Sequence, residues 1–308
     1  MQFGGRAGCT TTDSLHLLNS FIKNAWRKKH KVVGLFLDVK GTFPNAVIPC
    51  LVHDMRQEGV PKKVTNWITR QLEGREMVIT FDDYTSEPIP IINGFNQGDC
   101  LSTFFYRYYN ARQVRKITEA MQRDRIQDKL VLNFADDAMC AASAPNLQAA
   151  AQKVTRLWEQ LEGLAEWSHS HFSLYEYSKF VAVSFTRKKR VNPNNPRKRI
   201  KQEPIEIQLD DHLKIKMSSS HKFLGVILDD KLRFKQHADY ALAKGTEWEA
   251  RTRGVAKTTR GVKGVFIRRL YNAVGLAKML YAADVWCTSP IDKSRTMTRP
   301  TIHTTNME

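Results

Sequence analysis

The chain has 308 residues, enough to bury a sizeable core in one or two domains. Lys and Arg number 48 against 31 Asp and Glu, and this formal charge of +17 points to a polyanionic partner whose phosphates would be neutralised on binding. No apolar run approaches membrane-spanning length, and no basic stretch followed by an apolar one opens the chain. A soluble protein of the cytoplasm or nucleus is therefore expected, without a membrane partner. The five cysteines lack close pairs or metal-type spacing, which fits a reducing compartment. His169 and His171 have no Cys partner at ligand spacing, so zinc is not expected.

Thr12 to Lys28 has helical spacing, with Leu15, Leu18, Phe21, Ile22 and Trp26 on one side. Lys31 to Val39 is a continuous apolar run, a buried strand that leads into Asp38. Helices are expected over Ala46 to Gln57 and Lys62 to Leu72, separated by Gly59-Val60-Pro61. Met77 to Phe81 and Ile89 to Ile92 read as strands joined by a polar turn at Asp82 to Ser86. An aromatic-rich helix is expected over Leu101 to Met121.

Leu130-Val131-Leu132-Asn133, then Phe134-Ala135-Asp136-Asp137, then Ala138-Met139-Cys140-Ala141-Ala142 is an apolar, turn, apolar pattern: a hairpin with acids at its tip. Leu147 to Leu164 steps by threes and fours as one amphipathic helix. A strand at Phe180 to Phe185 precedes the most basic stretch, Arg187 to Lys201, which reads as a flexible loop around Pro193 and Pro196. That loop is equally a nucleic-acid contact, an import signal or a solvated insertion. Lys222 to Leu228 reads as one strand, followed by helices from Phe234 to Arg253 and Val265 to Tyr281. From Ser289 onward the pattern dissolves, and disorder is expected. Strands and helices mix without regular alternation, which predicts an α+β fold.

Adjacent half-buried carboxylates repel, and a divalent cation relieves them. A lone Asp pair is nonetheless a weak signal. Asp82-Asp83, Asp210-Asp211 and Asp229-Asp230 are read as solvated turns, where Asp bonds its own backbone. Asp38, closing an apolar strand, is the partner that gives Asp136 a chemical reading. Carboxylates on neighbouring strands can hold two Mg²⁺ ions about 4 Å apart, which stabilise the attacking and leaving oxygens of a phosphoryl transfer.

Five segments in order then carry a resemblance. Phe36 to Phe43 resembles the first palm motif of reverse transcriptases, and Asn93 to Ser102 their Gln-Gly motif. Phe134 to Asp137 is similar to their aromatic-x-Asp-Asp hairpin. Trp167 to Lys189, containing Ser178-Lys179-Phe180, resembles the palm motif that follows. His221 to Val226 resembles the segment leading to the primer grip. The likeness runs from Gln2 to Trp286 and is to non-LTR (LINE-type) retrotransposon polymerases, particularly those of fungi, including the Gln2-Phe3-Gly4-Gly5-Arg6 start.

The resemblance implies a right-hand polymerase: a remnant of fingers over 1–30, a palm with finger elements over 31–230, a helical thumb over 231–288 and a tail over 289–308. It implies an RNA-directed DNA polymerase that copies an RNA template from a DNA primer with dNTPs and two Mg²⁺ ions. Asp38, Asp136 and Asp137 would be the catalytic metal ligands. Lys179 would protonate the pyrophosphate leaving group. Phe43 would be an aromatic gate against a ribose 2′-OH. Gln97 and Gly98 would line the nucleotide and template pocket, and Arg6 would touch the triphosphate. Cys100, Thr103 and Thr42 depart from the family pattern, the first two replacing prolines that would fix the template loop. The abrupt start implies N-terminal truncation, with an endonuclease and much of the fingers missing. The alternative reading is a retrotransposon fragment that binds nucleic acid without turnover.

Overall fold

Thr10 starts the first helix with a reciprocal cap. Its hydroxyl accepts from the Asp13 amide, and the Asp13 carboxylate accepts from the Thr10 amide at 2.7 Å. The computed structural model describes residues 3–96, 98–123, 128–159, 164–187, 190–192, 195–200, 205–210, 213–256 and 261–287. The chain forms two compact units, residues 1–218 and 219–308.

The first unit runs α1 (Thr11–Arg27), β1 (Lys31–Leu37), α2 (Ile48–Gln57), α3 (Lys62–Leu72), then four short strands, β2 (Arg75–Met77), β3 (Thr80–Phe81), β4 (Tyr84–Thr85) and β5 (Ile89–Ile91). It continues through α4 (Cys100–Arg123), β6 (Lys129–Phe134), β7 (Asp137–Ala144), α5 (Leu147–Glu159), α6 (Leu164–Ser170), β8 (Val181–Phe185), β9 (Arg190–Asn192), β10 (Asn195–Ile200), β11 (Glu206–Gln208) and β12 (Lys214–Ser218). Six strands make the main sheet in the order β11-β12-β8-β1-β7-β6, antiparallel except for the β12–β8 pair.

β1 lies inside this sheet, which explains its unbroken apolar sequence: a strand covered on both faces has no polar side to alternate. One face carries Val33, Leu35 and Cys140 into a core shared with α2, α4, α5 and α6. On the other, Phe36, Met139 and Phe185 close around Gly34, and α1 packs against β1, β6 and β7. Trp26 fastens α1 there through an indole N–H donated to the Phe185 carbonyl at 3.1 Å.

In several places the fold differs from the sequence expectation. The Leu147–Leu164 helix is instead two, α5 and α6, with 160–163 outside the described residues. The basic stretch is not a loop throughout, because β9 and β10 pair as an antiparallel ribbon; Lys188 and Lys189 lie outside the described residues, as does the tail from 288. β11 and β12 were invisible as sheet members because their Lys and Glu residues mask the apolar alternation at Ile207 and Ile215.

The second unit opens with a hairpin, β13 (Ser220–Phe223) and β14 (Val226–Asp229), where a single strand was expected. Leu224 and Gly225, at φ 45° and 82°, form the turn that divides it. α7 (Lys235–Val255) follows, then α8 (Gly264–Leu270), a π-helical turn at Tyr271–Leu276, α9 (Ala277–Met279) and α10 (Ala283–Trp286), where one helix from Val265 to Tyr281 was expected. Asp229 fills the turn role read from sequence, accepting from the Phe234 amide at 2.7 Å. No described helix is long and apolar enough to cross a membrane.

Candidate active site

The β1–β7 register brings the expected acids together. Leu37 pairs with Ala138, so Asp38, the next residue on one strand, comes opposite Asp137, the preceding residue on the other. Phe134 pairs with Asp137 across the β6–β7 turn, leaving Ala135 and Asp136 as its two central residues. Ala135 takes φ 53°, a left-handed conformation that an L-residue adopts at a cost and that tight hairpins require. Asp136 therefore stands exposed at the tip.

The electrostatics record this crowding. The Asp137 carboxyl is pushed up to about 6, first by burial against protein atoms and then by the charges of Asp136 and Asp38, although the residue as a whole reaches solvent. Three hard oxygen donors that repel one another suit Mg²⁺ by chemistry. Among the described residues, however, no group of three or more His, Cys, Asp or Glu side chains has metal-holding geometry. Lys179 instead supplies the positive charge: its Nζ lies 2.9 Å from Asp38 Oδ2. That hydrogen bond, reinforced by the Asp38 charge, holds the ammonium above its usual range.

Lys179 reaches Asp38 because the chain before it pairs with the end of β1. Tyr175 bridges Val39, the Lys40 amide donates to the Leu174 carbonyl at 2.8 Å, and the Glu176 amide donates to the Asp38 carbonyl at 2.9 Å. A 3₁₀ turn at Tyr177–Lys179 then lifts Lys179 beside the acid.

Phe43 is half-buried, with its ring 5.7 Å from that of Tyr106. Burial raises the Tyr106 hydroxyl well above its ordinary range, and interactions with Tyr175 and then Asp136 add to this. Gly98 has φ 90°, and a Cβ there would meet open space, so its backbone conformation, not crowding, calls for glycine. Gln97 lies outside the described residues. Arg6 is exposed on the N-terminal segment.

Other residues hold the acidic turn, and the sequence reading passed over them. The Phe3 amide donates to the Asn133 carbonyl at 3.0 Å, and a Cβ on Gly4 would come 2.4 Å from the Ala135 nitrogen. From the other side, Asn110 donates to the Ala135 carbonyl at 3.3 Å. An asparagine buried within an aromatic helix was the available signal. The departures at Cys100 and Thr103 have a local replacement: Asp99 Oδ1 accepts from the Leu101 amide at 2.9 Å, and the Ser102 hydroxyl donates to the Asn96 carbonyl at 2.6 Å. Thr42 ties its own turn through the Val39 carbonyl at 3.1 Å.

An antiparallel sheet with an acidic hairpin beside a strand-end Asp is the palm of a right-hand polymerase. The fold agrees with solved structures. Telomerase from Candida tropicalis in complex with a TWJ fragment of telomeric RNA superposes with a TM-score of 0.50 at 11% identity, covering 89% of this chain and 42% of that one. Telomerase from Candida albicans in the corresponding complex gives 0.50 at 12% identity, covering 88% and 44%.

The profile of the family described as reverse transcriptase (RNA-dependent DNA polymerase) matches residues 1–228, and the chain belongs to that family. The chain is also similar to polymerases of mobile elements and transposons. The RNA-directed DNA polymerase from mobile element jockey of Drosophila melanogaster is 26% identical over 236 residues, 77% of this chain. The probable RNA-directed DNA polymerase from transposon X-element of the same species is 25% identical over the same span. The chain covers 24% of the length of each of these relatives.

Proposed function

We propose that this chain catalyses RNA-directed DNA synthesis, extending a DNA primer with dNTPs on an RNA template. The observation that carries this reading is the β1–β7 register, which sets Asp38 opposite Asp137 with Asp136 one residue away at the turn. Asp38 and Asp136 would hold two Mg²⁺ ions, with Asp137 as a supporting acid. Bound there, the ions would supply the charge neutralisation that in-line phosphoryl transfer requires.

The remaining roles fall to side chains. Lys179 carries a proton at Nζ and is held above its usual range, so it is charged at neutral pH and able to donate to a departing pyrophosphate. Phe43, braced on Tyr106, presents a ring that would exclude a 2′-OH. Gly98, with the neighbouring Gln97, would admit the template and nucleotide, and Arg6 would meet the triphosphate. We assign the six-stranded unit to the palm and the helices after residue 231 to the thumb.

Primer extension on an RNA template with Mg²⁺ and dNTPs tests this reading. Extension by the wild type and its loss in Asp136→Ala are expected. No extension, or extension that survives the substitution, overturns it. The charge of +17 favours a second reading, nucleic-acid binding without turnover. Salt-dependent binding that persists without extension would select it.

A further inference from the structure

Arg75 opens β2 directly behind the C-terminal end of α3, and the residue is half-buried. Burial lowers the pKa of the guanidinium. All of its recorded hydrogen bonds go to neutral oxygens. Nε donates to the Leu72 carbonyl at 2.7 Å, the last residue of α3. Nη1 donates to Asn96 Oδ1 at 3.0 Å. Nη2 donates to the Gly94 carbonyl at 2.6 Å and, more weakly, to the Asn93 carbonyl at 3.4 Å.

Apart from Leu72, its targets lie in one loop, residues 93–96, the segment that leads toward Gly98. That loop is clamped elsewhere too. The Gly94 amide donates to the Ala46 carbonyl at 2.8 Å and the Phe95 amide to the Phe43 carbonyl at 2.7 Å. Gly94 takes φ 86° with Pro44 O only 2.3 Å from where a Cβ would be, so the two loops are in backbone contact. These bonds fix the entry to the loop but stop at Phe95. Asn96 is held by Arg75 on its side chain and by Ser102 on its carbonyl.

We propose that Arg75 is a positioning residue for substrate recognition: it ties the end of α3 to Gly94 and Asn96, and so sets where Gly98 stands to meet the templating base and incoming nucleotide. The inference rests on the polymerase reading for its kinetic consequence, but not for its structural one. The planar fork is what the site uses. A lysine ammonium keeps the charge yet cannot reach Leu72, Gly94 and Asn96 together.

The test compares wild type, Arg75→Lys and Arg75→Gln as full chains, in two measurements. Amide hydrogen exchange is read at 93–99 and, as an internal reference, in β1 and β7. Primer extension is read as separate kcat and KM for dNTP. Both variants should speed exchange in the loop by about tenfold or more, the loss expected when charged hydrogen bonds are removed, with β1 and β7 unchanged. KM for dNTP should rise by a comparable factor while kcat changes much less. Loop exchange unchanged in Arg75→Lys overturns the positioning claim, as does a fall in kcat with KM unaltered. A wild type with no extension overturns the proposed function instead, and hydrogen exchange then decides Arg75 alone.

Discussion

The Lys179 ammonium and the Asp38 carboxylate, 141 positions apart in sequence, meet at 2.9 Å where the chain leaves β1. A divalent cation binding at Asp38 must therefore displace an ammonium already in place. Both partners are substantially exposed, so the competition is modest. Lys179→Gln should tighten Mn²⁺ binding, read by the paramagnetic signal of the free ion, by about two- to fivefold. Extension should fall in the same variant, because the proposed proton donor is gone. Opposite signs for binding and turnover distinguish this arrangement from a lysine that only supports the fold.

Gly4 should be intolerant of even a methyl group. A Cβ there would lie 2.4 Å from the Ala135 nitrogen, and the obstacle is backbone in a turn already at φ 53°. Gly4→Ala should destabilise the protein by about 1–3 kcal/mol, as overpacking does, and should reduce extension through the displaced Asp136. Gly254→Ala is the matched control: nothing lies within 4 Å of its Cβ position, and it sits in α7. It should be neutral or slightly stabilising in a thermal melt, since alanine favours helix.

The central strands were legible in the sequence because burial on both faces writes an unbroken apolar run, as at Val32 to Leu37. The acids were legible because a tight turn between two such runs leaves few places for Asp136 to point. The β13–β14 hairpin was not, because its turn sets Leu224, a residue type that rarely takes a positive φ, beside Gly225 inside an otherwise apolar run. β12 was hidden for another reason: it joins β8 in parallel and far along the chain, a pairing set by tertiary contact. Residues that hold the acidic turn, Asn110 and Gly4 among them, depend on distances between segments, which spacing within one segment does not report.

Asp54 and His171 form a buried pair whose loss should cost more than that of a surface ion pair. Asp54 Oδ2 and His171 Nε2 are 2.7 Å apart, with side chains 2% and 4% exposed, joining α2 to the end of α6. The His171 ring also stacks on Trp167, and its carbonyl accepts from the Tyr109 hydroxyl at 2.5 Å. Asp54→Ala leaves the imidazole buried without its acceptor and should cost about 1–3 kcal/mol. The double variant Asp54→Leu, His171→Phe should recover part of that loss. Urea denaturation of the single and double variants measures both.

His237 should make the second unit acid-sensitive. Its ring is buried in α7, edge-on to Trp286 at 4.9 Å, and Nδ1 accepts the Ile227 amide at 3.2 Å. That bond requires an unprotonated Nδ1. Burial first, and the Lys222 charge second, lower the imidazole from 6.5 to about 4. Above pH 6.5 the ring is neutral in both folded and unfolded chains, and the full stability is present. Between 6.5 and 4 the unfolded chain takes up a proton that the folded chain refuses, so stability falls as pH falls, by on the order of 3 kcal/mol once pH 4 is reached. His221 is shifted in the same direction by burial, so His237→Gln should flatten the decline without abolishing it. Thermal unfolding followed by tryptophan fluorescence from pH 4 to 8 reads the slope. An identical slope in His237→Gln would show that the ring accepts its proton in the folded state.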